Sequence, residues 1–235
     1  VKNKAIYTQF RNIFDMTEKE DLFKEQNYSK KDHLNYLLNL SLGKDDLWIS
    51  MNKKRRNSIK KAIKSGIVVK SLDDISSVED SYNVIKRVYD KAKIPLADIS
   101  LFMKTFENLQ NKKMLKCFAA YLDETMIGTV WLLTFRGRVY DWYSGSLSQF
   151  LNKAPNDLML WKSIEWSIDK NYEIFDFGGA GSPEKKYGVR DFKRKFGGDE
   201  LNLGRFNLIN SKFKYALSNE LLNYWKIFRQ KGIKI

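Results

Sequence analysis

The stretch Phe175-Asp-Phe-Gly-Gly-Ala-Gly-Ser-Pro-Glu-Lys-Lys-Tyr-Gly-Val-Arg-Asp-Phe-Lys-Arg-Lys-Phe-Gly-Gly198 decides the fold of this chain. Residues 172–177 are mostly apolar and predict a short strand that stops at Gly178 and Gly179. Paired glycines at the end of a strand favour a tight turn and let a ligand approach the backbone closely. Residues 201–208 predict a second strand. The expected order is strand, glycine-lined turn, helix and strand.

The helix of this stretch is predicted from its start signal and its spacing. Residues 182–184 supply a capping serine, a proline for the first turn and an early acid. Val189, Phe192 and Phe196 are spaced i, i+3 and i+7, which predicts one buried face. Between residues 184 and 195, six basic residues stand against two acidic ones. On this pattern alone, a connection with a solvated basic face is an equal alternative to a binding site.

The charge of the whole chain is strongly positive. Its 42 Lys and Arg residues exceed its 28 Asp and Glu residues by 14. This excess indicates an anionic partner, such as a nucleic acid, a nucleotide-linked substrate or a membrane surface. Solvated surface lysines are the alternative.

The composition argues against several kinds of site. Cys117 is the one cysteine, so a buried thiol is expected and a disulfide within the chain is impossible. His33 is the one histidine, which leaves little for a Ser-His-Asp triad or a multi-histidine site, and we expect no metal. No apolar run approaches the roughly 20 residues that span a bilayer, and no signal-peptide pattern is present. These observations predict a cytoplasmic protein.

Residues 53–64 predict a helix with seven basic residues and no acid. Ile59, Ala62 and Ile63 give it a narrow buried stripe, and Gly66 is suited to cap its end. An anionic partner would offset the repulsion between these charges. The alternative is a surface helix that tolerates them, since each like-charge pair costs only roughly 0.2–0.5 kcal/mol.

The remaining segments supply the elements of one mixed sheet. Strands are predicted at 4–11, 67–70, 114–122, 125–135 and 138–144, a strand or helix at 31–40, and helices at 75–93, 99–109, 155–170 and 213–228. Turn signals at 123–124 and 136–137 join three strands into an antiparallel meander. The order predicts an α+β (α/β) fold in which helices flank a central sheet.

Three motifs resemble one family of enzymes. They are the opening stretch, above all 175–179 and 187–198, the basic run 53–67, and Asn156-Asp-Leu-Met-Leu-Trp161. In this order they resemble the Fem family of peptidoglycan-bridge aminoacyltransferases, which belongs to the acetyltransferase-like GNAT superfamily. The resemblance covers most of residues 50–208.

This resemblance implies an organisation and a set of substrates. Residues 66–235 would form a GNAT-like domain, and residues 1–65 a truncated first GNAT-like subdomain that ends in the basic helix 50–65. The donor would be aminoacyl-tRNA, with no cofactor, and the acceptor would be an amine of a UDP- or lipid-linked muropeptide. A peripheral association with an anionic membrane is a further expectation. Acyl-CoA is the less favoured donor, because residues 145–156 lack the glycine-rich turn that usually holds CoA pyrophosphate before the central helix.

The resemblance also assigns roles to individual residues. Lys193 matches the lysine of the family's Phe-Lys motif and is expected to stabilise the oxyanion, with Phe192 shaping its position. Asp176 is expected to orient the acceptor amine or take its proton. The alternatives are a surface lysine that flanks a buried Phe and an aspartate that satisfies its own turn. Substrate contacts are expected from Arg56, Tyr143, Gly178, Gly179, Tyr187, Arg190 and Phe192.

Trp142 and Tyr143 are consecutive residues of one predicted strand. Alternation along a strand places them on opposite faces of the sheet. At most one of them can then line the acceptor groove, and Tyr143 suits a polar ligand better.

Three hypotheses of function remain open at this point. The first is an aminoacyl-tRNA-dependent transferase that acts on a cell-wall precursor. The second is a CoA-dependent N-acyltransferase that acts on an amino sugar or amine. The third is a non-catalytic GNAT-like module that binds RNA or an anionic glycan, which the short N-terminal part favours.

Overall fold

The computed structural model describes residues 5–230, with side chains up to residue 225. These residues form two compact units. The smaller unit comprises residues 179–187 and the described parts of 1–35 and 201–235, and the larger unit comprises 36–178 and 188–200. The predicted domain boundary between residues 65 and 66 stays a prediction.

The strands and helices follow the chain in this order. The strands are β1 (Tyr7–Arg11), β2 (Ser29–Lys31), β3 (Leu34–Asn39), β4 (Ile67–Leu72), β5 (Leu115–Leu122), β6 (Thr125–Phe135), β7 (Arg138–Ser146), β8 (Ile174–Gly179), β9 (Asp199–Asn202) and β10 (Arg205–Ile209). The α-helices are α1 (Glu20–Glu25), α2 (Gly43–Ser50), α3 (Lys53–Lys64), α4 (Ser77–Ala92), α5 (Ile99–Leu109), α6 (Pro155–Asp169), α7 (Gly188–Arg194) and α8 (Lys212–Gln230). Short 3-10 helices lie at Thr17–Lys19, Leu40–Leu42 and Ser148–Lys153. Lys4, the first residue of the strand predicted at 4–11, lies outside the described residues.

The smaller unit contains an antiparallel sheet in the order β1-β10-β2. Phe206 of β10 is buried and stacks on Phe23 of α1, with ring centroids 4.0 Å apart. Phe10 pairs with Phe206 across the sheet and contacts Phe23 edge to face. These aromatic contacts form the apolar centre of this unit.

The larger unit is organised around a seven-stranded sheet in the order β4-β5-β6-β7-β8-β3-β9. Strands β4 to β7 pair antiparallel in sequence order, which confirms the predicted meander. Strand β8 is parallel to β7, and their pairing runs from Arg138 with Ile174 to Tyr140 with Asp176. The predicted mixed sheet flanked by helices is confirmed.

An irregularity in the pairing of β6 with β7 determines which side chains face which way. Trp131 pairs with Tyr143, but the next residue, Leu132, pairs with Asp141. Trp142 is therefore an extra residue of β7, as in a β-bulge. Because residues opposite each other in a sheet share a face, Tyr143 lies on the face of Trp131 and Asp141 on the other face.

The bulge corrects one prediction made from strand alternation. Trp142 and Tyr143 both contact Phe102 of α5, with ring centroids 5.7 and 4.8 Å away. The prediction that they lie on opposite faces is wrong, because the extra residue shifts the alternation at this point.

Helices cover both faces of this sheet. Trp131 is fully buried on the face of α4 and α5, and its indole N–H donates to Oγ of Ser81 at 2.7 Å. Helix α6 packs against β5, β6 and β7, and Trp161 is buried, as its helical spacing predicted. No helix described between residues 5 and 230 combines the length and the apolar character needed to cross a bilayer.

The helix of the opening stretch is shorter than predicted. It begins at Gly188, and the predicted start at residues 182–184 is wrong because these residues form a turn. Helices in proteins are stabilised mainly by packing of an apolar face, and residues 182–186 carry no apolar side chain except Pro183. The predicted shared face is also only partly buried. Phe196 is buried, whereas Val189 is 43% exposed.

The segment after this helix differs in a similar way. Residues 201–208 were predicted as one strand, and the structure divides them between β9 and β10. The break includes Gly204, whose φ of 67° lies in the left-handed region that favours glycine.

Gly198→Ala is expected to lower the free energy of unfolding by about 2–3 kcal/mol. Gly198 has a φ of 88°, and a Cβ at this position would lie 2.5 Å from the carbonyl oxygen of Leu37. Both the backbone conformation and the contact with a backbone atom therefore oppose a side chain. Urea unfolding measures the loss. Gly188→Ala is the control, because its Cβ would meet no atom within 4 Å, and equal losses in the two variants would contradict the argument.

Candidate active site

A cavity of about 310 Å³ opens in the larger unit beside β7. It is lined by Val130, Asp141, Ser144, Gly145, Asn156, Met159, Leu160, Gly188, Val189 and Phe192. These residues come from β6, β7, α6 and α7. The opening stretch of the sequence therefore contributes one wall of the cavity, through its helix.

Lys193 lies on α7, directly after the cavity-lining Phe192, and is half-buried. Its ammonium group interacts electrostatically with the carboxylates of Asp141 and Asp176. Burial lowers the pKa of Lys193, and the two carboxylates oppose that shift because they favour the charged form. The structure thus brings together Lys193 and Asp176, the two residues to which chemical roles were assigned.

Asp176 is the more deeply buried of the two carboxylates. It lies on β8 with 1% of its surface exposed, and its Oδ1 accepts the backbone N–H of Gly178 at 2.7 Å. This hydrogen bond is the turn-satisfying contact that the sequence offered as an alternative role. Asp176 also interacts electrostatically with Lys193, so it can satisfy its own turn and take part in the site at the same time.

Asp141 is the site residue that the sequence analysis missed. It follows the last paired residues of β7 and β8, lines the cavity, and accepts a hydrogen bond from Oγ of Ser144 at 3.3 Å. Burial raises the pKa of Asp141 to about 6, Lys193 and Ser144 act in the opposite direction, and Asp176 adds to the rise. The available signal was a single acidic residue among the aromatic residues Tyr140, Trp142 and Tyr143.

Phe192 lines the cavity, and its ring packs against one member of an ion pair. The guanidinium of Arg55 on α3 lies over its ring, 5.2 Å from the centroid. Arg55 in turn donates to Oδ1 of Asp157 on α6 at 2.7 Å. Part of the basic helix therefore supports the wall of the site.

Arg56, the neighbour of Arg55, has a different environment. Its Nη1 donates to the backbone carbonyls of Trp48, Ile49 and Met51 at the end of α2. Cations at this position stabilise a helix end. The predicted contact between Arg56 and a substrate stays a prediction, and the contacts described are structural.

The other predicted contact residues are distributed around the fold. Tyr143 packs in the aromatic cluster on the sheet face opposite Asp141. Arg190 lies near Tyr36. Burial raises the pKa of the Tyr36 hydroxyl to about 12, and the charge of Arg190 partly opposes this rise. A Cβ on Gly178 would lie 3.1 Å from the carbonyl oxygen of Asp141, so the backbones approach closely there.

Two predicted contact residues, Gly179 and Tyr187, belong to the smaller unit. Gly179 lies against His33, whose Nε2 is 2.7 Å from Nη2 of Arg205. Tyr187 is exposed. Within residues 5–230, no group of three or more His, Cys, Asp and Glu side chains is arranged to hold a metal ion.

The chain matches a known protein family over the part that contains this cavity. The sequence profile of the acetyltransferase (GNAT) domain matches residues 50–194, which include β4 to β8 and the helix that carries Lys193. The chain belongs to this GNAT family. This membership confirms the predicted class of enzyme, an acyltransferase.

Known proteins similar to this GNAT chain include an alanyltransferase. UDP-N-acetylmuramoylpentapeptide-lysine N(6)-alanyltransferase of Weissella viridescens is 22% identical over 143 residues, which are 61% of this chain and 42% of that enzyme. The chain thus spans less than half of the length of this curated relative. The predicted resemblance to the Fem transferases is confirmed.

Solved structures show the same fold. The crystal structure of FemX superposes with a TM-score of 0.72 at 15% identity and covers 91% of this GNAT chain and 74% of FemX. L-PGS from Bacillus licheniformis superposes with a TM-score of 0.55 at 11% identity, covering 81% of this chain and 64% of L-PGS.

Proposed function

We propose that this protein transfers an aminoacyl group from aminoacyl-tRNA to an amine of a peptidoglycan precursor. The observation that carries the proposal is the grouping of Lys193, Asp176 and Asp141 beside the cavity of a GNAT domain. The similarity to an alanyltransferase that acts on a muramoylpentapeptide lysine supports this substrate class.

Lys193 would stabilise the oxyanion that forms when the amine attacks the ester carbonyl. A positive charge has a larger effect in a half-buried cavity than in water, because the effective dielectric is lower. Asp141 and Asp176 favour the charged form of Lys193, although burial opposes it. Phe192 forms an apolar wall next to this charge and limits the access of water.

The size and the lining of the cavity fit a small acyl group. Its volume of about 310 Å³ lies at the lower end of ligand sites. Apolar side chains of Val130, Met159 and Leu160 line one part, and Asp141, Ser144 and Asn156 supply the polar groups. An aminoacyl group has this mixture of an apolar side chain and a polar amine.

The charge of the chain supports tRNA as the donor. Helix α3 has Arg55 and Arg56 engaged within the fold, which leaves a row of exposed lysines: Lys53, Lys54, Lys60, Lys61 and Lys64. Lysines that contact phosphates release counterions, so binding would weaken steeply with salt. An aminoacyl-tRNA donor and a UDP- or lipid-linked acceptor place the reaction in the cytoplasm, with a peripheral contact to an anionic membrane for the lipid-linked form. No cofactor is required.

A transfer assay tests the proposal directly. A mixed pool of radiolabelled aminoacyl-tRNAs and a UDP-linked muropeptide are incubated with the protein, beside an assay with labelled acetyl-CoA. Label that moves from tRNA to the muropeptide is the expected result and identifies the amino acid. Label that moves only from acetyl-CoA would replace the proposal by a CoA-dependent N-acyltransferase, and transfer in neither assay would favour a binding module.

The triple variant of Lys60, Lys61 and Lys64 to Ala is expected to bind tRNA less tightly and with a weaker salt dependence. The slope of log K against log salt should fall by about 2–3, because each lost phosphate contact removes about 0.7–0.9. Fluorescence titration from about 50 to 200 mM salt measures the slope. The control replaces the exposed Lys86, Lys104 and Lys112, which lie on or next to other helices. Equal slopes in both triple variants would contradict a role for α3.

A further inference from the structure

We propose that Asp141 takes the proton from the attacking amine and returns it to the departing ribose oxygen, while Asp176 only positions Lys193 and the glycine turn. This inference rests on the proposed function. It assigns the proton transfer to a residue of β7 in place of Asp176 within β8.

The bulge in β7 places Asp141 where a substrate can reach it. Trp142 is the extra residue, so Asp141 shares the sheet face of Leu132 and lines the cavity, while Tyr143 turns toward Phe102 on the other face. Without the extra residue, the carboxylate and Tyr143 would share one face.

Asp176 is less suited to proton transfer. Only 1% of its surface is exposed, and Oδ1 is engaged by the N–H of Gly178. Asp141 keeps part of its surface exposed at the cavity, where Ser144 orients its Oδ2. A general base must come within hydrogen-bond reach of the proton that it removes, and Asp141 is the carboxylate among the cavity-lining residues.

The groups around Asp141 set a suitable proton affinity. Lys193 faces it from α7 with a positive charge, Asp176 from β8 with a negative charge, and Asn156, in the first turn of α6, is neutral. Ser144 contributes a hydrogen bond from the same strand. With burial as the largest cause, the pKa of Asp141 is raised to about 6. A carboxylate with this affinity is ionised at neutral pH and is a stronger base than an ordinary aspartate.

The reaction balances with Asp141 alone as the proton carrier. The neutral amine of the acceptor attacks the ester carbonyl, a C–N bond forms, and the carbonyl electron pair moves to the oxygen beside Lys193. The Asp141 carboxylate takes one proton from the nitrogen. The C–O bond to the ribose then breaks, and the Asp141 carboxylic acid gives this proton to the ribose oxygen. The products are an amide and a free hydroxyl, and Asp141 returns to its ionised form.

The pH profile of kcat/KM for transfer distinguishes Asp141 from Asp176. In the wild type, log kcat/KM should rise with a slope of about 2 below pH 6 and about 1 above it, because both the base and the acceptor amine must lose a proton. Asp141→Asn should lower kcat/KM by about 100-fold at pH 7.5 and leave a slope of about 1 throughout. Asp176→Asn should lower the rate yet keep the change of slope.

Further variants and outcomes complete the test. Asp141→Glu should fold and keep the change of slope at a shifted pH, which a merely structural role would not produce. Thermal unfolding checks that each variant is folded. If Asp141→Asn keeps the change of slope near pH 6, or if Asp176→Asn loses it, the inference is overturned while the proposed function stands. A wild type that transfers no aminoacyl group would overturn the proposed function and this inference with it.

Discussion

Lys193→Ala is expected to lower kcat for aminoacyl transfer by about 100- to 1,000-fold, which is the usual effect of removing one oxyanion donor. KM for the donor should change by less than about threefold, because the interaction is stronger in the transition state than with the bound substrate. Steady-state kinetics with labelled aminoacyl-tRNA separate the two constants. The expectation follows from the electrostatic interaction of the ammonium with Asp141, which lines the cavity, and with Asp176.

Arg194→Ala is the matched control for this prediction. Arg194 is the next residue of α7, carries the same charge, and forms an exposed ion pair with Asp191 at 3.2 Å. Its loss should change kcat by less than about twofold, since such surface pairs contribute little. Lys193→Arg should retain part of the activity, because it keeps the charge but not the geometry. Full activity of Lys193→Ala would remove this lysine from the mechanism.

Much of the larger unit could be predicted from the sequence because its elements are long and periodic. The meander over residues 114–144 follows from apolar runs separated by turn signals, and α6 follows from its helical spacing. Lys193 and Asp176 could be singled out because they lie in one linear motif. The structure then showed that these two side chains interact.

What the sequence could not provide depends on contacts between distant segments. Tyr143 was expected at the groove, and regular alternation would put it on the face of Asp141; the extra residue Trp142 turns it to the other face, and nothing local marks that bulge. Arg55 and Arg56 look alike in the sequence. Only tertiary packing directs one to Asp157 and the other to the end of α2.

The second large effect is expected from the pair that supports Phe192. Asp157 is buried, and burial raises its pKa to about 6 although Arg55 opposes this shift. Above that pH both groups are charged, and each compensates the other inside the fold. Removing one partner of such a pair leaves a charge with no compensation.

Asp157→Ala should therefore lower the free energy of unfolding by about 3 kcal/mol at pH 7.5. This value is near the lower end of the losses measured when one partner of a buried ion pair is removed, because the Arg55 side chain is still 21% exposed. Urea unfolding measures the change. The double variant Arg55→Met with Asp157→Leu should recover most of the stability, since it removes both charges and keeps apolar volume. Asp169→Ala, which breaks the exposed pair with Lys44, should cost less than about 1 kcal/mol. If Asp157→Ala and the double variant lost the same stability, packing volume and not the unpaired charge would be the cause. Transfer kinetics of the double variant would then show whether Phe192 needs the guanidinium of Arg55 next to its ring.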